Sequence, residues 1–161
     1  MTSGDGMIFR NDSLISYAGD KLKTKGPKIH ELIVLGFSVY TAPPDSTLSK
    51  LKAAGFDITY FSKDNYDSRP HYVVGDPAKA QFWIDAKTLL FTKLKKVLPN
   101  NRVSEIEFKG YQKLGKGWIE TEVIFSMNGQ TVMREVYDNI KAPKSLPAGF
   151  YNQSVFSKIS W

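Results

Sequence analysis

The sequence contains no cysteine, which excludes disulfide bonds, thiolate metal sites and cysteine nucleophiles. That absence leaves the compartment open, because exported proteins can also lack cysteine. Histidine is nearly missing too, with only His30 and His71 in 161 residues. Neither sits in an H-x-x-x-H or H-E-x-x-H spacing, so no histidine-based zinc site is expected. His71, following Arg69-Pro70, reads as a structural or surface residue. No stretch approaches the ~18 apolar residues that span a bilayer. Serines lack a G-x-S-x-G context, the glycines open no phosphate loop, and the aspartates lack EF-hand spacing. No catalytic residues, metal or cofactor are therefore expected. Met1-Thr-Ser-Gly-Asp-Gly has neither the basic nor the apolar region of a signal peptide, so residues 1–6 are expected to lie outside the fold.

What is present suits one folded domain over residues 1–161, large enough to bury a core. Apolar residues make up 42% and charged residues 24%, ordinary values for a globular chain. The net charge of +6 leans toward anionic partners such as phospholipid head groups. Lys93, Lys95 and Lys96 cluster, but Glu105, Glu107, Glu120 and Glu122 interleave nearby, and no continuous basic stripe or nucleic-acid motif appears.

The element pattern is mainly β. Residues 7–25 read as short strands around Asn11-Asp12 and Gly19-Asp20 turns. Pro27 opens a helix over Lys28–Tyr40 that buries Ile29, Leu32, Ile33, Gly36 and Tyr40. A second helix, Thr47–Ala54, is capped by Asp45 or Ser46, turns Leu48 and Leu51 inward and stops at Gly55. From Phe56 the period becomes two. Phe56–Tyr60, His71–Val74, Gln81–Asp85 and Leu89–Val97 read as strands, as do the segment around Ile106 and Phe108, Trp118–Met127 and Thr131–Ile140. Asp64–Ser68 reads as a turn. Asn128-Gly129 is the strongest hairpin signal. The pairs Glu105/Glu107 and Glu120/Glu122 read as the solvated side of the sheet. Together these give an α+β, mainly β chain built on a curved antiparallel sheet. Pro143–Trp161 reads as a covering loop.

The aromatic set Phe82, Trp83, Phe91, Trp118, Phe125 and Tyr137 admits two roles, ordinary core packing or the lining of an apolar cavity. A wide apolar sheet face with two short helices above it leaves surface uncovered, and a large uncovered apolar patch marks a binding surface. Glu135 with Tyr137 is the nearest same-face polar pair, and it makes no catalytic constellation.

The segments His71-Tyr72-Val73-Val74-Gly75 and Phe82-Trp83-Ile84-Asp85-Ala86-Lys87-Thr88-Leu89-Leu90 resemble the outer-membrane lipoprotein-sorting proteins, the periplasmic lipoprotein carriers. Ile106–Tyr111, Gly117-Trp118-Ile119, Glu135–Ile140 and a late Gly149-Phe150-Tyr151 follow in the order and spacing of that family, over roughly residues 7–156. The family opens with a helix and strands ahead of the segment matching Met7, so the resemblance implies either a chain truncated at its N-terminus or a shortened relative. It further implies an incomplete barrel with the two short helices as a lid over a hydrophobic cavity. Binding of lipid or an acylated protein without catalysis is implied, in the periplasm after signal-peptide removal. The six aromatics above would then be candidate lining residues, and Lys93, Lys95 and Lys96 would meet an anionic head group. Peripheral membrane contact is a further implication. An alternative is an interaction module whose sheet face is covered by its own core or in a homodimer.

Overall fold

The computed structural model describes residues 5–19 and 21–145. Most of the expected covering loop beyond Pro143, the Gly149-Phe150-Tyr151 segment, and residues 1–4 lie outside the described residues. The chain divides into two compact units.

The first unit carries β1 (Gly6–Arg10), β2 (Ser13–Ala18) and β3 (Lys21–Pro27), an antiparallel sheet in that order. Asn11 and Asp12 both take positive φ (50° and 52°), which is what a two-residue hairpin demands and what Asn and Asp tolerate. Ile8 pairs with Ile15, and with Tyr17 they form a small buried cluster. Pro27 does not start a helix. It closes β3 opposite Ser13, a strand-end position where its missing N–H breaks no ladder.

The second unit runs from Glu31 to Ala142. It holds α1 (Glu31–Gly36), a 3-10 turn (Ser38–Tyr40) and α2 (Pro44–Ala53). Strands β4 (Phe61–Tyr66), β5 (Arg69–Val74), β6 (Ala80–Asp85), β7 (Phe91–Val97) and β8 (Val103–Lys109) follow. A small hairpin, β9 (Gln112–Leu114) and β10 (Gly117–Ile119), precedes β11 (Glu122–Met127) and β12 (Gln130–Val136). The main sheet has seven strands in the order β12-β11-β8-β7-β6-β5-β4, all antiparallel, with β12 and β4 unjoined. It is the expected open, mainly β architecture with two short helices.

Register divides the sheet into two faces. Phe82 pairs with Leu94, Leu94 with Ile106, and Ile106 with Phe125, so these share one face. The helices pack there. Phe56, just after α2, sets its ring edge-on to Phe82 at 5.4 Å, and Phe37 lies 6.4 Å from Phe108. The same row on the other face reads Ser62, Val73, Trp83, Lys93, Glu107. That face is strongly concave. The Tyr66 hydroxyl on β4 donates to the Glu107 carboxylate on β8, four strands away. In a flat sheet those strands stand roughly 19 Å apart, beyond the reach of two side chains. A bulge between Trp83 and Ile84 admits Thr92 as an extra residue on β7, and Thr92 donates to the Trp83 carbonyl at 3.2 Å.

Several local expectations are corrected. The first helix buries Val34, Leu35 and Gly36, whereas Ile33 and Tyr40 are exposed. Helix α2 starts at Pro44 without a side-chain cap, and it buries Thr47 and Leu51 but leaves Leu48 outside. Its stop is as read: Gly55 (φ 91°) donates to Lys52 and Phe56 to Leu51, a Schellman closure. Phe56–Tyr60 is not a strand. Asp57 takes the N–H (3.1 Å) and hydroxyl (2.7 Å) of Thr59, and this local turn outcompetes pairing. Asp64 to Tyr66 belongs to β4, and only Asp67 and Ser68 make the turn. Trp118–Met127 is two strands broken at Glu120-Thr121, because Gly117–Ile119 pairs with β9 instead of β8.

Candidate functional site

The helix-side face is the candidate site. Under the helices it is closed by the chain's own side chains: Phe82, Phe91, Leu94 and Phe108 are buried, and the Phe91 and Phe108 rings meet edge-on at 4.9 Å. Gly36 permits this approach, since a Cβ there would stand 2.6 Å from Phe108 Cε2. Past the helices the same face stays apolar. Phe125 on β11 is half-buried, and its partner Met133 on β12 is 46% exposed. Phe37 on the helical segment is 42% exposed. At the opposite margin, Phe61 pairs across to Val74 and stacks against Tyr72 at 5.8 Å, with Phe61 61% exposed.

The six aromatics read from the sequence are distributed over several places. Phe82, Phe91 and Phe125 share the helix-side face. Trp83 lies on the concave face, buried, with Nε1 donating to Asp64 at 3.1 Å. Trp118 is exposed on β10, with the Lys113 ammonium 5.9 Å from its ring. Tyr137, just beyond β12, is exposed and donates to Glu135. Lys93 and Lys95 point to the concave side by register and Lys96 to the helix side. Lys93 pairs with Glu105 at 2.7 Å and lies over the Tyr66 and Trp83 rings, while Lys96 pairs with Glu31.

The concave face proves to be a polar interior, not a solvated side. Asp85, 2% exposed, accepts the N–H groups of Lys87 (2.9 Å) and Thr88 (2.8 Å) and pairs with Arg69 at 2.9 Å. Burial pushes its carboxyl up, but those N–H groups and Arg69 prevail and hold it below the usual range. His71 is 1% exposed, with Nδ1 on the Arg69 carbonyl and Nε2 without a partner. A cavity of about 370 Å3 opens at one end of this face, lined by Tyr66, Arg69, Thr92, Lys109 and Tyr111 among others.

Sequence reasoning missed a group where the helical segment meets the end of β7. Tyr40 Oη accepts the Phe91 N–H at 3.1 Å, and Tyr111 Oη donates to the Phe91 carbonyl at 2.5 Å. Glu120, read as solvated, is 3% exposed with Oε2 unpartnered. It was misread because an unbroken strand through Trp118–Met127 would place Glu120 beside Glu122 on the outer side. Burial holds its carboxyl above the usual range, and loss of water around the hydroxyl likewise raises Tyr40, whose ring is otherwise exposed, and Tyr111. Among the described residues no cluster of acidic or histidine side chains could hold a metal ion, and no helix is long and apolar enough to cross a membrane.

No family model matches the sequence, and no curated protein does. The chain is similar to a crystal structure provisionally described as an outer membrane lipoprotein-sorting protein domain from Vibrio parahaemolyticus, over 90% of this chain and 70% of that one, with 12% identity and a TM-score of 0.41.

Proposed function

We propose that the protein is a non-enzymatic periplasmic binding protein for the acyl chain of a lipid or an acylated protein, held on the helix-side face. The observation that carries this reading is the continuation of that face past its helical cover, through Phe125 and Met133 on one side and Phe61 and Tyr72 on the other. Each methylene laid against such a surface contributes ~0.8 kcal/mol, so eight of them supply about 6 kcal/mol. Of the three lysines, Lys96 shares this face and is placed to meet an anionic head group in exchange for Glu31. The reading is tested by mass spectrometry of molecules extracted from the purified protein and by titration with a fluorescent fatty acid. Met133→Asp is expected to weaken that titration about tenfold or more while leaving the unfolding midpoint nearly unchanged, since Met133 lies outside the core. No extracted lipid and no fluorescence response would overturn it. The second reading, an interaction module, is favoured by the closed Phe82–Phe91–Phe108 core and by Val132 and Val136 exposed on the terminal strand β12. A stable lipid-free dimer in light scattering supports that alternative.

A further inference from the structure

The helical segment Glu31–Tyr40 is tied to the sheet at two ends. At one end Glu31 pairs with Lys96. At the other, Tyr40 Oη takes the Phe91 N–H, whose carbonyl is held in turn by Tyr111. Between them the contact is apolar, with Gly36 and Phe37 against Phe108.

The Tyr40 end has an unusual neighbour. Glu120 is almost wholly buried, one carboxyl oxygen has no partner, and it lies at the break between β10 and β11. Among the described residues, the titratable groups whose fields couple to it are Tyr40 from the 3-10 turn, Tyr111 from the β8–β9 connection and Tyr137 beyond β12. Tyr137 is bonded to a further carboxylate, Glu135. None of these is a cation. A neutral carboxyl is tolerable there, whereas a carboxylate buried without a countercharge is not and must move to water.

We infer that the protonated Glu120 carboxyl is a catch that keeps the Glu31–Tyr40 segment seated on the sheet, and that ionisation of Glu120 releases the Tyr40 end. Moving the carboxylate outward displaces the Glu120-Thr121 link, where Thr121 donates to the Lys109 carbonyl at 3.1 Å and to the Gly110 carbonyl at 2.9 Å, and with it the neighbouring Tyr111, so the hold on Phe91 loosens and the Tyr40–Phe91 bond opens while the Glu31–Lys96 end remains. The apolar face beneath would then be uncovered as pH rises and covered as it falls. This inference concerns the segment itself and holds whether or not the face takes an acyl chain.

The test is amide hydrogen exchange at Phe91 in 15N-labelled protein without ligand, expressed as protection over intrinsic exchange, from about pH 5 to about pH 8. Wild-type protection is expected to fall by about tenfold per pH unit above the ordinary glutamate value of about 4.3, levelling once Glu120 is ionised in the seated state too, because release in that range is coupled to loss of one proton. Glu120→Gln, which keeps the shape and cannot ionise, is expected to hold protection flat. Tyr40→Phe is expected to lose it at every pH. Wild-type protection that does not change with pH, or that changes equally in Glu120→Gln, overturns the inference, as does Tyr40→Phe behaving as wild type. Should Glu120→Gln not fold, the carboxyl 13C shift of Glu120 in the wild-type protein decides. An inflection coinciding with the loss of Phe91 protection supports the catch, and one elsewhere refutes it.

Discussion

At Gly75 the backbone takes φ 115°, and a Cβ would stand 2.1 Å from the Ala80 carbonyl oxygen. The glycine N–H also donates to the Tyr60 carbonyl at 3.0 Å, extending the β4–β5 ladder by one bond, so the turn cannot relax away from Ala80 without losing it. Gly129 has positive φ as well, at 77°, but nothing lies within 4 Å of its Cβ position. The two residues therefore separate conformational cost from collision. Gly129→Ala is expected to cost about 1 kcal/mol, the ordinary left-handed penalty. Gly75→Ala is expected to cost about 3 kcal/mol or more, because the obstacle is backbone, not a side chain that can swing away. Urea unfolding with an unchanged m-value measures both. Equal midpoints for the two variants would contradict the collision.

Among the elements, α1 shows how close approach fixes a packing. The Phe108 ring cannot withdraw from a Cβ at position 36, since it is 4% exposed and already meets Phe91. Gly36→Ala should gain up to about 1 kcal/mol in helix propensity yet lose about 1–3 kcal/mol to overpacking, for a net destabilisation seen in the urea midpoint. A stabilised variant would mean that the helix does not press on the sheet. The same scale shows which features the sequence made legible. Asn128-Gly129, the Gly55 stop and the alternation through β6 to β8 were readable because turn chemistry and period are local. Phe56–Tyr60 was not, because Asp57 bonding to Thr59 leaves no trace in hydrophobic period. The alternation Glu105, Glu107 marked a polar side correctly, but curl brings Tyr66 of β4 over to Glu107, and curl is not written in any one strand. Phe82 and Trp83, adjacent on one strand, part to opposite faces by simple alternation, so the aromatic set is not one surface.

For the whole molecule, the buried carboxyls Asp85 and Glu120, with the half-buried Glu107, predict a stability profile with two limbs of opposite sign. Asp85 is held below its usual range by Thr88, Lys87 and Arg69 against the effect of burial. Glu107 is held low by the Tyr66 hydroxyl and by Lys109, again against burial. A lowered acid contributes stability that is fully present above its unfolded pKa, about 3.9 for Asp and 4.3 for Glu, and lost as pH falls through the folded value. Glu120 has the reverse sign. Burial raises it, so its contribution is fully present below about 4.3 and lost as pH rises through the folded value. Stability should therefore peak in mildly acidic solution, between the two limbs, and not at the sequence pI of about 9.4, because net charge acts at longer range and is screened by salt. The limbs are separable by substitution. Asp85→Asn should lower stability at neutral pH and flatten the acid limb while leaving the upper limb in place. Glu120→Gln should flatten the upper limb and leave the acid one. Urea midpoints collected across this range measure both, and a wild-type profile that rises steadily from acid to neutral pH would show that Glu120 is not held neutral in the fold.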